Sequence, residues 1–194
     1  MLFSDEIDGT TSRLNADGSV TVLLVDRAGP EGLVVQPDGT IIFAEQDTNR
    51  IVSLAPGSTT PTVSRVLPET PSTAACKHGV DGIAFDPTTN TLIVPDSPTG
   101  DVYRMSLDGK TLTLLASGIV RPVGAGVDDQ GNIYIADECG NAIGHVTSIS
   151  AIGDTGASTE EKPRIAIPSM MVFHEAVSAR DVMLLTRPPT QPPK

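Results

Sequence analysis

Pro30-Glu31-Gly32-Leu33-Val34-Val35-Gln36-Pro37-Asp38-Gly39-Thr40-Ile41-Ile42-Phe43-Ala44-Glu45 is a short apolar run, a Pro-Asp-Gly turn, a second apolar run and an acidic end. The pattern returns twice. Val80-Asp81-Gly82-Ile83-Ala84-Phe85-Asp86-Pro87 leads through a turn to Leu92-Ile93-Val94-Pro95-Asp96. Pro122-Val123-Gly124-Ala125-Gly126-Val127 leads through Asp128-Asp129-Gln130-Gly131-Asn132 to Ile133-Tyr134-Ile135-Ala136-Asp137. Phe3-Ser4-Asp5 fits the end of an earlier copy, and a degraded copy starts at Pro168-Ser169-Met170-Met171-Val172-Phe173-His174. Runs of this length, broken by Asp-Gly or Gly-Asn pairs, read as strands joined by hairpin turns.

The segments beyond the acidic ends repeat as well. Thr11-Ser12-Arg13-Leu14, Ile51-Val52-Ser53-Leu54, Val102-Tyr103-Arg104-Met105 and Ile143-Gly144-His145-Val146 read as third strands, and the runs at 20–24, 63–67 and 111–115 as fourth ones. Four short strands recurring every 40 to 50 residues or so is the pattern of a β-propeller blade. The expected fold is therefore all-β. It has a partial blade over 1–29, blades over 30–78, 79–121 and 122–167, a partial blade over 168–186 and a Pro-rich tail over 187–194. About four blades' worth of chain is consistent with a small ring or with an incomplete six-bladed one. Open sheet edges in the latter would offer a route to self-association.

The 194 residues include 24 Asp and Glu against 13 Lys and Arg, a formal net charge of −11. Such a surface repels phosphate backbones and anionic lipid, which argues against nucleic-acid and membrane partners. No apolar run approaches the length of a membrane span, and the acidic residue at position 5 comes too early for a secretory signal. The expectation is a soluble chain, its compartment left open.

The Pro30-Glu31-Gly32-Leu33, Val80-Asp81-Gly82-Ile83 and Gly131-Asn132-Ile133-Tyr134-Ile135-Ala136-Asp137 segments resemble the senescence marker protein 30/gluconolactonase family and, almost equally, NHL-repeat propellers. The lactonase resemblance implies hydrolysis of a small sugar lactone or related ester, with one divalent cation, calcium or zinc, at the mouth of the central channel. It implies Glu31 and Asp81 as metal ligands, with Val123 and Ser169 in the remaining equivalent slots. A hard cation prefers several oxygen ligands and polarises a carbonyl, while a neighbouring carboxylate activates water. Asp81 is the candidate for that catalytic role, and His78, three residues earlier, the candidate general base beside it. The NHL resemblance implies instead a non-catalytic scaffold presenting one face to a protein partner. An incomplete propeller without independent activity is the third reading.

Other side chains read more simply. Glu45, Asp96 and Asp137 end second strands, where a carboxylate caps the following turn; Asp137-Glu138 has the alternative of facing the channel. His145 reads as an outer-strand surface residue and His174 as a turn residue. The glycines read as hairpin residues, as at Gly39 and Gly109. There is no Gly-x-Ser-x-Gly elbow, phosphate loop or Cys-x-x-Cys pair. Cys76 and Cys139 fall in loops that a propeller brings to one face of neighbouring blades, within reach of a disulfide. Two free thiols are the alternative.

Overall fold

The computed structural model describes residues 1–26, 28–68 and 78–146. The expected partial blade at 168–186, the Pro-rich tail, Ser169, His174 and Cys76 lie outside them, and with Cys76 the expected bond to Cys139. Every regular element among the described residues is a β-strand, and none is a helix able to cross a membrane.

Among the described residues fourteen strands make four antiparallel sheets. The first comprises β1 (Leu2–Asp5), β2 (Thr10–Leu14) and β3 (Val20–Val25). The second runs β4 (Pro30–Val35), β5 (Ile41–Glu45), β6 (Arg50–Leu54) and β7 (Thr62–Val66). The third runs β8 (Ala84–Asp86), β9 (Thr91–Asp96), β10 (Asp101–Ser106) and β11 (Leu112–Ala116). The fourth shows β12 (Pro122–Val127), β13 (Ile133–Asp137) and β14 (Ala142–Val146). Sequential strands are neighbours throughout, as hairpin connections require. The first sheet begins with the equivalent of a second strand, in line with the sequence pattern.

Period-two alternation explains why the sheets stack as blades. In β5, Ile42 and Ala44 join Leu92, Val94 and Met105 of the third sheet in one core cluster. Ile41 and Phe43, on the opposite face, join Leu24 of the first sheet, together with Val52 and Leu54 of their own. In β9 the same division puts Leu92 and Val94 toward the second sheet and Ile93 toward Ile133 and Ile135 of the fourth. A strand buried on both faces reads as a continuous apolar run rather than an alternating one. Each core cluster is thus an interface between two blades, and burial there is what drives the sheets together.

The inner strands approach more closely than the sequence suggests. The Gly32 N–H donates to the Asp81 carbonyl at 3.2 Å, and the Gly82 N–H donates to the Val123 carbonyl at 2.6 Å. These bonds run between blades, at the starts of three successive inner strands. Gly32 and Gly82 are therefore contact glycines, although Asp81-Gly82 has the form of a turn pair; a methyl at Gly32 would stand 2.6 Å from Gly82 Cα. For the same reason Ile83, expected on the innermost strand, falls just before β8. The main chain at 81–82 is bonded sideways to its neighbours instead of to β9.

Candidate functional site

Because the main chain at 32, 81–82 and 123 bonds side by side across the blades, equivalent residues meet at one place. Glu31 comes from the start of β4, Asp81 from the segment leading into β8, and Val123 from the start of β12. With Glu6, Gln46, His78, Arg121, Gly124 and Glu138 they line a cleft of about 360 Å³. The repeat slot therefore brings Glu31 and Asp81 together, and exposed His78 reaches the same cleft. Glu138 also faces it, whereas Asp137 turns back to the main chain and accepts the Arg121 N–H at 2.9 Å and the Gly140 N–H at 2.9 Å.

The other strand-ending carboxylates also hold their turns. Glu45 accepts the Thr48 hydroxyl at 2.7 Å and pairs with Arg50 at 2.5 Å. Asp96 accepts the Thr99 hydroxyl at 2.8 Å. His145 stacks on Tyr134 with ring centroids 5.1 Å apart, away from the cleft.

Sequence reasoning does not single out Arg121. Its guanidinium lies 3.9 Å from the Asp81 carboxylate and pairs with Glu138 on its other side. The available signal is positional: the residue before the inner-strand start is Gly29 in one repeat and Gly79 in the next, but Arg121 here. Glu6 and Gln46 escape it too, because they belong to turns and reach the cleft only through the fold. The Gln46 amide lies 3.4 Å from Glu31 Oε1, and the Ser4 hydroxyl donates to the Glu31 carbonyl at 2.5 Å.

The electrostatics separate the two carboxyls. Burial, then the charges of Asp81 and Glu6, push Glu31 up to about 8. Burial pushes Asp81 up to about 6, with Arg121 opposing and Glu138 and Glu6 adding to the rise. Near pH 7 Glu31 thus holds a proton while Asp81 is mostly ionised. Two neighbouring carboxyls of unequal proton affinity are a donor and an acceptor for proton transfer.

The donor set does not fit the expected cation. Among the described residues no three His, Cys, Asp or Glu side chains gather as a metal centre. Arg121 already stands against Asp81, and Val123 offers no side-chain oxygen. A calcium ion takes six to eight oxygen ligands.

No family model and no curated protein matches the chain. Among solved structures, virginiamycin B lyase from Staphylococcus aureus aligns with a TM-score of 0.60 at 19% identity, over 75% of this chain and 48% of that one. A streptogramin B lyase aligns with a TM-score of 0.61 at 20% identity, over 79% and 48%. The chain is a β-propeller. A nidogen–laminin complex aligns with the same propeller at a TM-score of 0.59 and 22% identity, over 70% and 52%. The chain thus spans about half the length of these propellers, and at such identities the likeness is one of fold.

Proposed function

We propose that the cleft hydrolyses a small lactone or related ester by general acid–base catalysis, with Asp81 as base and Glu31 as acid. One observation carries the reading: neighbouring inner strands deliver Glu31 and Asp81, with Arg121, to a single concave site of about 360 Å³. That volume suits a small molecule. In the reaction, water attacks the carbonyl carbon while Asp81 takes its proton. The acyl C–O bond breaks, and the departing alkoxide takes the proton held by Glu31. The proton on Asp81 then passes to Glu31, which restores both groups and leaves acid and alcohol as products. Arg121 favours the ionised form of Asp81, opposing the effect of burial, and anchors Glu138 at the rim. His78, exposed at the edge of the cleft, is assigned no step. The positions support a reaction of this class; the ester itself is identified only by its carbonyl and its size.

Turnover of p-nitrophenyl acetate and of δ-gluconolactone by the purified chain tests the reading. Asp81→Asn is expected to lower kcat at least 100-fold with little change in melting temperature, since a general base contributes about 10²–10⁴-fold. Wild-type protein without turnover, or an Asp81→Asn variant as active as wild type, would overturn it. Capture of one protein partner without turnover would instead favour the scaffold reading suggested by the NHL resemblance.

A further inference from the structure

The turn between β5 and β6 holds a residue whose side chain leaves its own blade. Asn49 has φ 49°, in the left-handed region. The equivalent turn positions in the other sheets are Gly9, Gly100 and Asn141, with φ of 63°, 75° and 49°. Glycine or asparagine thus satisfies the backbone of this turn, and what sets Asn49 apart is where its side chain goes. At position 49 the amide crosses to the third blade. Its Oδ1 accepts the Val80 N–H at 2.7 Å, and its Nδ2 donates to Asp96 Oδ1 at 3.0 Å. Asn49, Val80 and Asp96 are all buried, so these bonds form away from competing water.

Val80 immediately precedes Asp81. Three successive main-chain groups around that carboxylate are thus each held by a different neighbour. The Val80 N–H is held by Asn49, the Asp81 carbonyl by the Gly32 N–H, and the Gly82 N–H by the Val123 carbonyl. Two of these bonds are main chain to main chain. The first uses a side chain, so it can be removed without touching the inner strands. The Asn49 N–H also donates to the Gln46 carbonyl at 3.3 Å, and the Gln46 amide approaches Glu31. One turn thereby touches the supports of both carboxyls.

We propose that Asn49 is a positioning residue for the cleft: its amide fixes the Val80–Asp81 peptide and so holds the Asp81 carboxylate against Arg121, beside Glu31. The proposal rests on the acid–base reading of the cleft. Removing the side chain frees the Val80 N–H, lets the segment before β8 swing toward solvent, and carries the Asp81 carboxylate out of its place beside Arg121.

The test is Asn49→Gly, the residue found at positions 9 and 100. Two readouts are followed: the titration of the Asp81 carboxyl by carbon-13 NMR, and amide hydrogen exchange at Val80. A Leu24→Ala variant, remote from the cleft, serves as a control for lost stability. Asn49→Gly is expected to lower the Asp81 midpoint toward the ordinary carboxylate range, because lost burial outweighs the lost opposing charge of Arg121. It should also speed Val80 exchange at least tenfold, while Leu24→Ala changes neither. An unchanged Asp81 midpoint together with a lower melting temperature would make Asn49 merely structural and overturn the proposal. If wild-type Asp81 itself titrates at an ordinary value, the acid–base reading fails. Val80 exchange then decides the role of Asn49: faster exchange in the variant supports the tether, and wild-type exchange overturns it. Asn49→Ser, too short to reach Val80, is read in the same way should the glycine variant not fold.

Discussion

Gly32→Ala tests how the blades meet at the channel. Gly32 has no positive φ to maintain, so alanine is conformationally permitted, and the cost comes from what the methyl touches. It would stand 2.6 Å from Gly82 Cα and 2.7 Å from Ile83 N, both main-chain atoms of the next blade. An unstrained carbon contact is about 3.5–4.0 Å, so β4 and the 81–83 segment must separate by roughly 1 Å. Overpacking of this kind costs about 1–3 kcal/mol. Separation also breaks the bond from Gly32 to the Asp81 carbonyl, which contributes about 1 kcal/mol. Loss of glycine's freedom in the unfolded chain returns about 0.4–1 kcal/mol. The net destabilisation is about 2–3 kcal/mol, or roughly 4–12 °C in Tm for a chain of this length. Calorimetric melting of wild type and variant at pH 7 measures it. Gly82→Ala, whose methyl would meet the Val123 carbonyl oxygen at 2.8 Å, should change stability in the same direction. If both variants melt within 1 °C of wild type, the close approach of the inner strands is wrong, and with it the convergence of Glu31 and Asp81.

The cleft carries three further expected outcomes. Glu31 and Asp81 bind protons more tightly folded than unfolded, so the stabilisation they give is full below about pH 4 and is lost as pH rises through about 6 and then 8. Denaturant midpoints should therefore fall between pH 5 and pH 8.5, and Glu31→Gln should flatten that fall; an equally steep decline in Glu31→Gln would contradict it. Arg121→Met removes the cation beside Asp81 and Glu138 and should cost about 1–3 kcal/mol at pH 8, less at pH 5, where Asp81 is protonated. A cost independent of pH in urea unfolding would show that the guanidinium acts by packing alone. Calcium or zinc at 1 mM should raise Tm by less than about 1 °C, because a ligand bound only by the native state stabilises by mass action. A rise of several degrees that Asp81→Ala abolishes would restore the metal-site expectation.

The sheets are legible in the sequence because propeller strands carry an unusually redundant signal. In β5 and β9 both faces are buried, so nearly every residue of the run is apolar or small and the turn residues between runs are sharply marked. Glu31 and Asp81 are legible for a related reason, as equivalent slots in a repeat must meet wherever the inner strands meet. The electrostatic partner is not, because Arg121 lies just outside the repeated segment and depends on Asp137 for its placement. Gly82 reads as a turn residue because a glycine beside an acidic residue has the form of a turn, and nothing local distinguishes it from a close approach between strands. Asn49 shows the same limit: left-handed φ explains it locally, while the bonds to Val80 and Asp96 come from a different blade. The expected cation meets an obstacle of charge, since the Arg121 guanidinium lies 3.9 Å from the Asp81 carboxylate.

The central claim is that Glu31 and Asp81 form a proton donor and acceptor in one cleft. Carbon-13 NMR titration of the side-chain carboxyls in the purified chain addresses it most directly. The account predicts a Glu31 midpoint near 8 and an Asp81 midpoint near 6, with the Asp81 resonance moving again as Glu31 ionises. Both carboxyls titrating independently in the range of exposed Asp and Glu, around 4, would contradict it.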